Sequence, residues 1–401
     1  MQLLPLLITV FIDSLGFGLV FPIFSPLIVN NEAGILSPEM TLGMRGLLFG
    51  LLVAGYCVGQ FFGGPILGSL SDRYGRKKVL AASMWLAFVS YLLGAAGIAL
   101  ASLTILFVVR LAAGVSAGSF AVCQSSISDI STKENKVKNF GLVGMSFWTG
   151  FVIGPFMGGK LTAYGYGVPF LFSAGICLLN ALLITLAFKE SLEVKSDVKV
   201  RLFQGITQIR KAFSMPGLRG IFLVMFVFCL GWGFFTEFSP VFLMRKRGFG
   251  VEQIANFYAW VGLWIAVSQG LLIRPILRWF APHKLLRMGL VLMALMLPVL
   301  LYPSSDLFLF CVVPCIALSQ ALIFPTAATI VSNYGTKETQ GEVMGIHNSV
   351  QWAAIAFPPL FSGGFVALYP HLPITVGSAC MLIAFFIFLK AYSPNEISTE
   401  E

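Results

Sequence analysis

Charge is scarce in this chain. Asp, Glu, Lys and Arg make up 11% of its 401 residues, hydrophobic types make up 57%, and mean hydropathy is +0.88. Soluble domains hold about a quarter of their residues as charges, so this composition excludes a single water-exposed fold and points to an integral membrane protein. Histidine is scarcer still, at three residues, and the seven cysteines (Cys57, Cys123, Cys177, Cys229, Cys311, Cys315 and Cys380) all lie inside apolar runs with no paired spacing in a loop. That placement excludes a disulfide framework and a structural metal, and no cofactor is expected. No nucleotide loop, metal-ligand cluster or nucleophile triad occurs, so the chain does not read as an enzyme and any uphill work must draw on a gradient. A receptor with sizeable soluble domains is also excluded, since residues 189–217 are the one long polar stretch. The basic start and short apolar core of a cleaved leader are lacking, and the first apolar run is expected to be kept.

What is there is apolar sequence in lengths of about 20 residues, enough to cross a bilayer as helix. Such runs lie near 3–29, 44–70, 77–100, 103–128, 138–161 and 167–188, then near 218–243, 252–276, 284–303, 306–332, 341–367 and 371–392. The expected fold is therefore an all-α polytopic membrane protein of 12 spans. Its divisions are an N-terminal six-helix bundle (1–188), a linker (189–217), a C-terminal six-helix bundle (218–392) and a short tail (393–401). Within the linker, Leu202, Ile206, Ile209 and Phe213 recur at helical spacing opposite Arg201, Arg210 and Lys211, the pattern of a helix lying on an anionic membrane face.

The net charge of +9 is explained by topology rather than by nucleic acid as a partner. With both termini inside, 20 of the 26 cations fall in cytoplasmic segments and five outside, and Arg110 alone lies well within a span. Positive charge prefers the cytoplasmic side, which predicts a multi-pass protein of the cell inner membrane with both termini and the linker cytoplasmic. The halves also look like repeats. Pro65-Ile66-Leu67 recurs as Pro275-Ile276-Leu277, and Gly154-Pro155 with Gly158-Gly159 recurs as Pro358-Pro359 with Gly363-Gly364. Duplicated halves place a binding site between them.

Between the second and third runs, three cations and an anion crowd into one turn, Gly68-x-Leu70-Ser71-Asp72-Arg73-x-Gly75-Arg76-Lys77. A topology anchor explains the cations but not the Asp or the glycines. This spacing resembles the loop between helices 2 and 3 of the major facilitator superfamily. The resemblance implies a secondary transporter working by alternating access, with Gly68, Asp72, Arg73, Gly75 and Arg76 forming a latch. It also implies the partners: Asp129 for Arg76, and the start of the eleventh helix near Gly341 and Gly345 for Asp72. In the second half the turn has decayed, with Pro282 where Asp72 has its counterpart and Arg278 where Gly68 has its own.

Asp13 falls about ten residues into the first run, roughly 15 Å deep at 1.5 Å per residue, where a carboxylate facing lipid is costly. It must face a cavity, be paired or be protonated, or else serve as a structural carboxyl between helices. The stretch from Phe11 to Pro22 resembles the first helix of drug:proton antiporters, a branch that includes tetracycline exporters and ties this acid to coupling. Val109-Arg110-Leu111-Ala112-Ala113-Gly114 with Gly118 resembles the fourth-helix motif, whose Arg is implicated in proton transfer; the other reading of Arg110 is a snorkelling side chain near the outer surface. Gly150, Gly154, Pro155, Gly158 and Gly159 resemble the antiporter signature of the fifth helix, although generic helix packing also selects small residues. Glu237, deep in the seventh run, could couple, gate or bind. Gln124, Trp148, Asn256, Trp264, Gln269, Gln320, His347, Asn348 and Gln351 are candidate cavity residues. The leading expectation is proton-coupled efflux of a small amphiphilic compound by a monomer in the lipid bilayer. Uptake by proton symport is the alternative. The ninth run has no acid and the eighth no His, which departs from tetracycline exporters.

Overall fold

The computed structural model describes residues 3–20, 23–131, 136–192, 204–215, 217–272, 276, 279–302, 305–334 and 340–391, and these are helical almost throughout. In chain order the helices are α1 (Leu3–Val20), α2 (Leu42–Tyr74), α3 (Arg76–Ala99), α4 (Leu103–Ala117), α5 (Ser119–Asp129), α6 (Lys136–Leu161) and α7 (Val168–Ala187). They continue as α8 (Gln204–Ser214), α9 (Arg219–Arg247), α10 (Val251–Val267), α11 (Pro282–Val299), α12 (Asp306–Tyr334), α13 (Gln340–Leu368) and α14 (Leu372–Ala391). Among the described residues ten helical segments are long and apolar enough to cross a membrane. The eighth and eleventh apolar runs hold α10, prolonged by a π turn over Ser268–Leu272, and α13.

Hydrocarbon leaves no backbone group unsatisfied, so each apolar run must close its own hydrogen bonds as helix. Starts are set locally: Thr41 accepts from the Met44 amide at 3.4 Å ahead of α2, and Ser102 accepts from the Ile105 amide at 3.4 Å ahead of α4. On α3, Trp85, Leu86, Val89, Leu92 and Leu93 follow helical spacing and are exposed, the stripe a helix turns to lipid. The linker helix forms as α8, where Ala212 is buried and Phe213 meets the Phe226 ring edge-on at 6.5 Å; Arg201 and Leu202 lie outside the described residues. So do Pro275 and Leu277, two members of the repeated triplet.

The chain divides into two compact units. Unit 1 is Met1–Gly205 with Pro240–Leu263 and Pro359–Pro370; unit 2 is Ile206–Ser239 with Trp264–Pro358 and His371–Glu401. Within unit 1 two seams bring helix backbones into contact, as packing in lipid requires when no hydrophobic force drives helices together. Along α1 and α6, a Cβ added at Gly150 would stand 2.4 Å from the Phe11 carbonyl oxygen, and one at Gly158 would stand 2.1 Å from that of Leu19. Along α2 and α4, the same addition at Gly59 meets the Leu111 oxygen at 2.3 Å, and at Gly114 the Tyr56 oxygen at 2.1 Å. The fourth span is not one rod. It breaks at Gly118, whose Cβ would lie 2.3 Å from the Gly63 carbonyl carbon, and α5 starts afresh at Ser119.

Candidate functional site

The break at Gly118 decides what Asp13 meets. It sets Ser119, fully buried, at the head of α5, and the Ser119 hydroxyl donates to Asp13 Oδ2. One turn earlier on α1, Thr9 shares a hydrogen-bonded node with Asn180 of α7, whose amide also reaches the Met84 sulfur at 3.0 Å. Three helices are thus pinned beside the acid. A hydroxyl is a donor to a carboxylate and an acceptor from a carboxylic acid, so Asp13 keeps a partner in either protonation state.

Arg110 does not snorkel. It is 2% exposed, its Nε donates to the Leu52 carbonyl at 3.2 Å, and its guanidinium lies over Phe24 at 4.9 Å and over Tyr56 at 4.6 Å. Two rings replace part of the water a buried cation gives up. Tyr56 is within electrostatic reach of both Arg110 and Asp13, so one phenol lies near both charged groups.

At the other end of unit 1 the charged turn centres on Arg76. Arg76, buried, sends Nε to Asp129 Oδ2 at 3.0 Å and Nη1 to Asp72 Oδ1 at 2.5 Å and Ser71 Oγ at 2.5 Å, while Ser71 donates to the Gly68 carbonyl at 2.7 Å. Arg73 is exposed over Tyr74. The two glycines of the turn differ. Gly75 has φ +104, where side chains are strained, whereas a Cβ on Gly68 would meet open space, so no tight reversal or close contact requires glycine there. Gly341 and Gly345 fall in the first turns of α13, and their surroundings lie outside the described residues. Gly154 and Pro155 pack on Gly18, and Gly159 packs on Ala255.

Unit 2 brings together neutral groups. Gln269, in the π turn after α10, donates to Gln320 Oε1 of α12 at 3.3 Å. His347 and Gln351, one turn apart on α13, approach to 2.6 Å between their Nε2 atoms. His347 is 1% exposed, and among the described residues its Nδ1 has no hydrogen-bond partner, nor has Nε2 of the fully buried Gln320. Glu237 is 4% exposed on α9. The remaining candidates are scattered: Gln124, Trp264 and Asn348 are half-buried, Trp148 is half-buried against Phe147 and Phe151, and Asn256 is exposed. Sequence reasoning missed Ser119, Phe24 and Tyr56, each far along the chain from its partner, and Glu190, which accepts from the Arg76 amide 114 positions away.

Comparison with known proteins covers nearly the whole chain. The sequence model of the Major Facilitator Superfamily matches residues 6–359. Multidrug resistance protein 1 of Bacillus subtilis (strain 168) is 26% identical over 393 residues, 98% of this chain and 96% of that one. Tetracycline resistance protein class C of Escherichia coli is 28% identical over 344 residues, 86% of this chain and 84% of that one. Among solved structures, a human organic anion transporter superposes with a TM-score of 0.75 at 20% identity, covering 96% of this chain and 98% of its own.

Proposed function

Because the chain belongs to the Major Facilitator Superfamily, and is therefore a multi-pass membrane transporter and not an enzyme, we propose that it exports small amphiphilic, drug-like compounds in exchange for protons. The relatives named for multidrug and tetracycline resistance support export and this class of cargo. The observation that carries the coupling reading is the Asp13–Ser119 contact: an acid deep in an apolar helix, held by a neutral hydroxyl, can load and release a proton without losing its partner. Arg110, caged by Phe24 and Tyr56, modulates that acid. Glu237, buried midway along α9, is the reserve coupling site.

In this reading the halves are residues 1–188 and 218–392, joined by the linker 189–217, with both termini cytoplasmic and the monomer in the inner membrane of the cell. The Arg76 cluster, with Asp72 and Asp129 on one guanidinium, is the inner latch. The unpaired donors of Gln320 and His347 contact acceptor atoms on the cargo.

Flux into everted vesicles tests the proposal, with a panel of fluorescent amphiphilic dyes and an imposed acid interior. Wild-type protein should accumulate dye against its gradient. Asp13→Asn should lose accumulation yet retain dye-for-dye exchange. Uphill transport by Asp13→Asn would move coupling away from Asp13, and dye running the other way would replace export with symport.

A further inference from the structure

Glu190 stands three residues beyond α7, and its carboxylate reaches back across 114 positions to the charged turn. Oε1 accepts from the Arg76 amide at 2.8 Å and Oε2 from the Lys77 amide at 3.3 Å, the first two residues of α3. Oε1 also accepts from the amides of Ser191 and Leu192 at 3.1 Å each. One carboxylate therefore gathers two amides from the start of a transmembrane helix and two from the chain that becomes the linker.

The start of α3 needs such a group. Its preceding residue is Gly75, which has no side chain to cap the first amides, and a helix start attracts negative charge. Glu190 supplies the cap from another helix. Its fit depends on Gly75, where a Cβ would stand 2.4 Å from Glu190 Oε2. Glu190 itself is held through Phe188, fully buried in a cluster with Leu80, Ile127 and Ile184. Glu190 is exposed, so water screens its charge and the directed hydrogen bonds matter more than the net attraction.

We propose that Glu190 is a positioning residue for transport: it clamps Arg76 by its amide while Asp129 holds the same residue by its guanidinium, and so ties the charged turn to the first residues of the linker. The consequence is that strain in the linker is felt at the turn. The effect on transport rests on the latch reading of the Arg76 cluster, while the clamp itself does not.

Two measurements on the full-length protein in liposomes separate these. In hydrogen exchange, Glu190→Ala should lose protection at the Arg76 and Lys77 amides by about five-fold or more, the worth of one cap, while the middle of α3 stays protected. Glu190→Gln, which keeps one acceptor oxygen, should fall between. In dye transport, Glu190→Ala should lower kcat by a similar factor with KM unchanged. It should add nothing in an Asp129→Asn background, because both act through Arg76. Unchanged exchange at both amides would refute the clamp. Lost protection with wild-type kcat, or additive losses with Asp129→Asn, would leave a clamp that does not position the turn and would overturn the proposal. If no dye moves even with the unaltered protein, the transport reading fails on its own and the exchange result still stands.

Discussion

Unit 1 and unit 2 bury different chemistry. Unit 1 partners its inward charged side chains: half-buried Asp13 on Ser119, buried Arg110 on Leu52 and two rings, buried Arg76 on Asp72 and Asp129. Unit 2, Glu237 apart, buries the Gln320 amide, the His347 imidazole and several hydroxyls, and among the described residues Gln320 Nε2 and His347 Nδ1 meet no hydrogen-bond partner. A buried charge must be compensated at all times, whereas an unmatched neutral donor costs only a few kcal/mol and can wait for a ligand. The contrast separates a region that partners its charged side chains from one whose polar groups are mostly neutral.

The strongest test exchanges the two roles. Asp13→Asn should reduce pH-driven accumulation by at least about 100-fold, as loss of a proton-transfer group does, while His347→Gln leaves the pH dependence of transport in place. Equal loss of pH dependence in both would erase the distinction. Next in size is packing. Gly114→Ala puts a methyl group on the Tyr56 carbonyl oxygen and should destabilise unit 1 by about 1–3 kcal/mol, read as a lower melting temperature in detergent, with Gly68→Ala as the neutral control. A smaller effect belongs to recognition. Gln320→Ala should raise KM about five-fold for dyes carrying a carbonyl and leave hydrocarbon-rich dyes unaffected, the worth of one hydrogen bond. The smallest belongs to the Lys160–Glu252 pair, which is more than half exposed on both sides. Lys160→Ala should change stability by less than about 1 kcal/mol in thermal melts, and less again in high salt.

How much of this was legible in the sequence follows from the range of each interaction. Helix in every apolar run was legible, because the demand for internal hydrogen bonds acts residue by residue. So was the His347–Gln351 contact, since i and i+4 share a face whatever the tertiary fold. Arg76 meeting Asp129 came only through family resemblance, as 53 residues separate them. Ser119 was invisible as the partner of Asp13: 106 positions intervene, and its placement follows a helix break at Gly118, where the Gly63 backbone comes close. Gly59 and Gly63 were passed over although they face Gly114 and Gly118, because a small residue declares its purpose only when the opposing backbone is known. Asn256 shows that a polar side chain in an apolar run can also be exposed.

A span built as a single rod carries a twist applied at one end undiminished to the other. The fourth span, with 15 residues in α4 and 11 in α5 meeting at Gly118, is instead two levers on a shared pivot. Arg110 rides on one lever and Ser119 on the other. A few degrees of torsion at that pivot would swing the hydroxyl relative to the guanidinium while both outer ends of the span stay moored. The Gly63–Gly64 backbone lies directly against that joint, where a Cβ on Gly118 would stand 2.3 Å from the Gly63 carbonyl carbon and 2.5 Å from the Gly64 nitrogen.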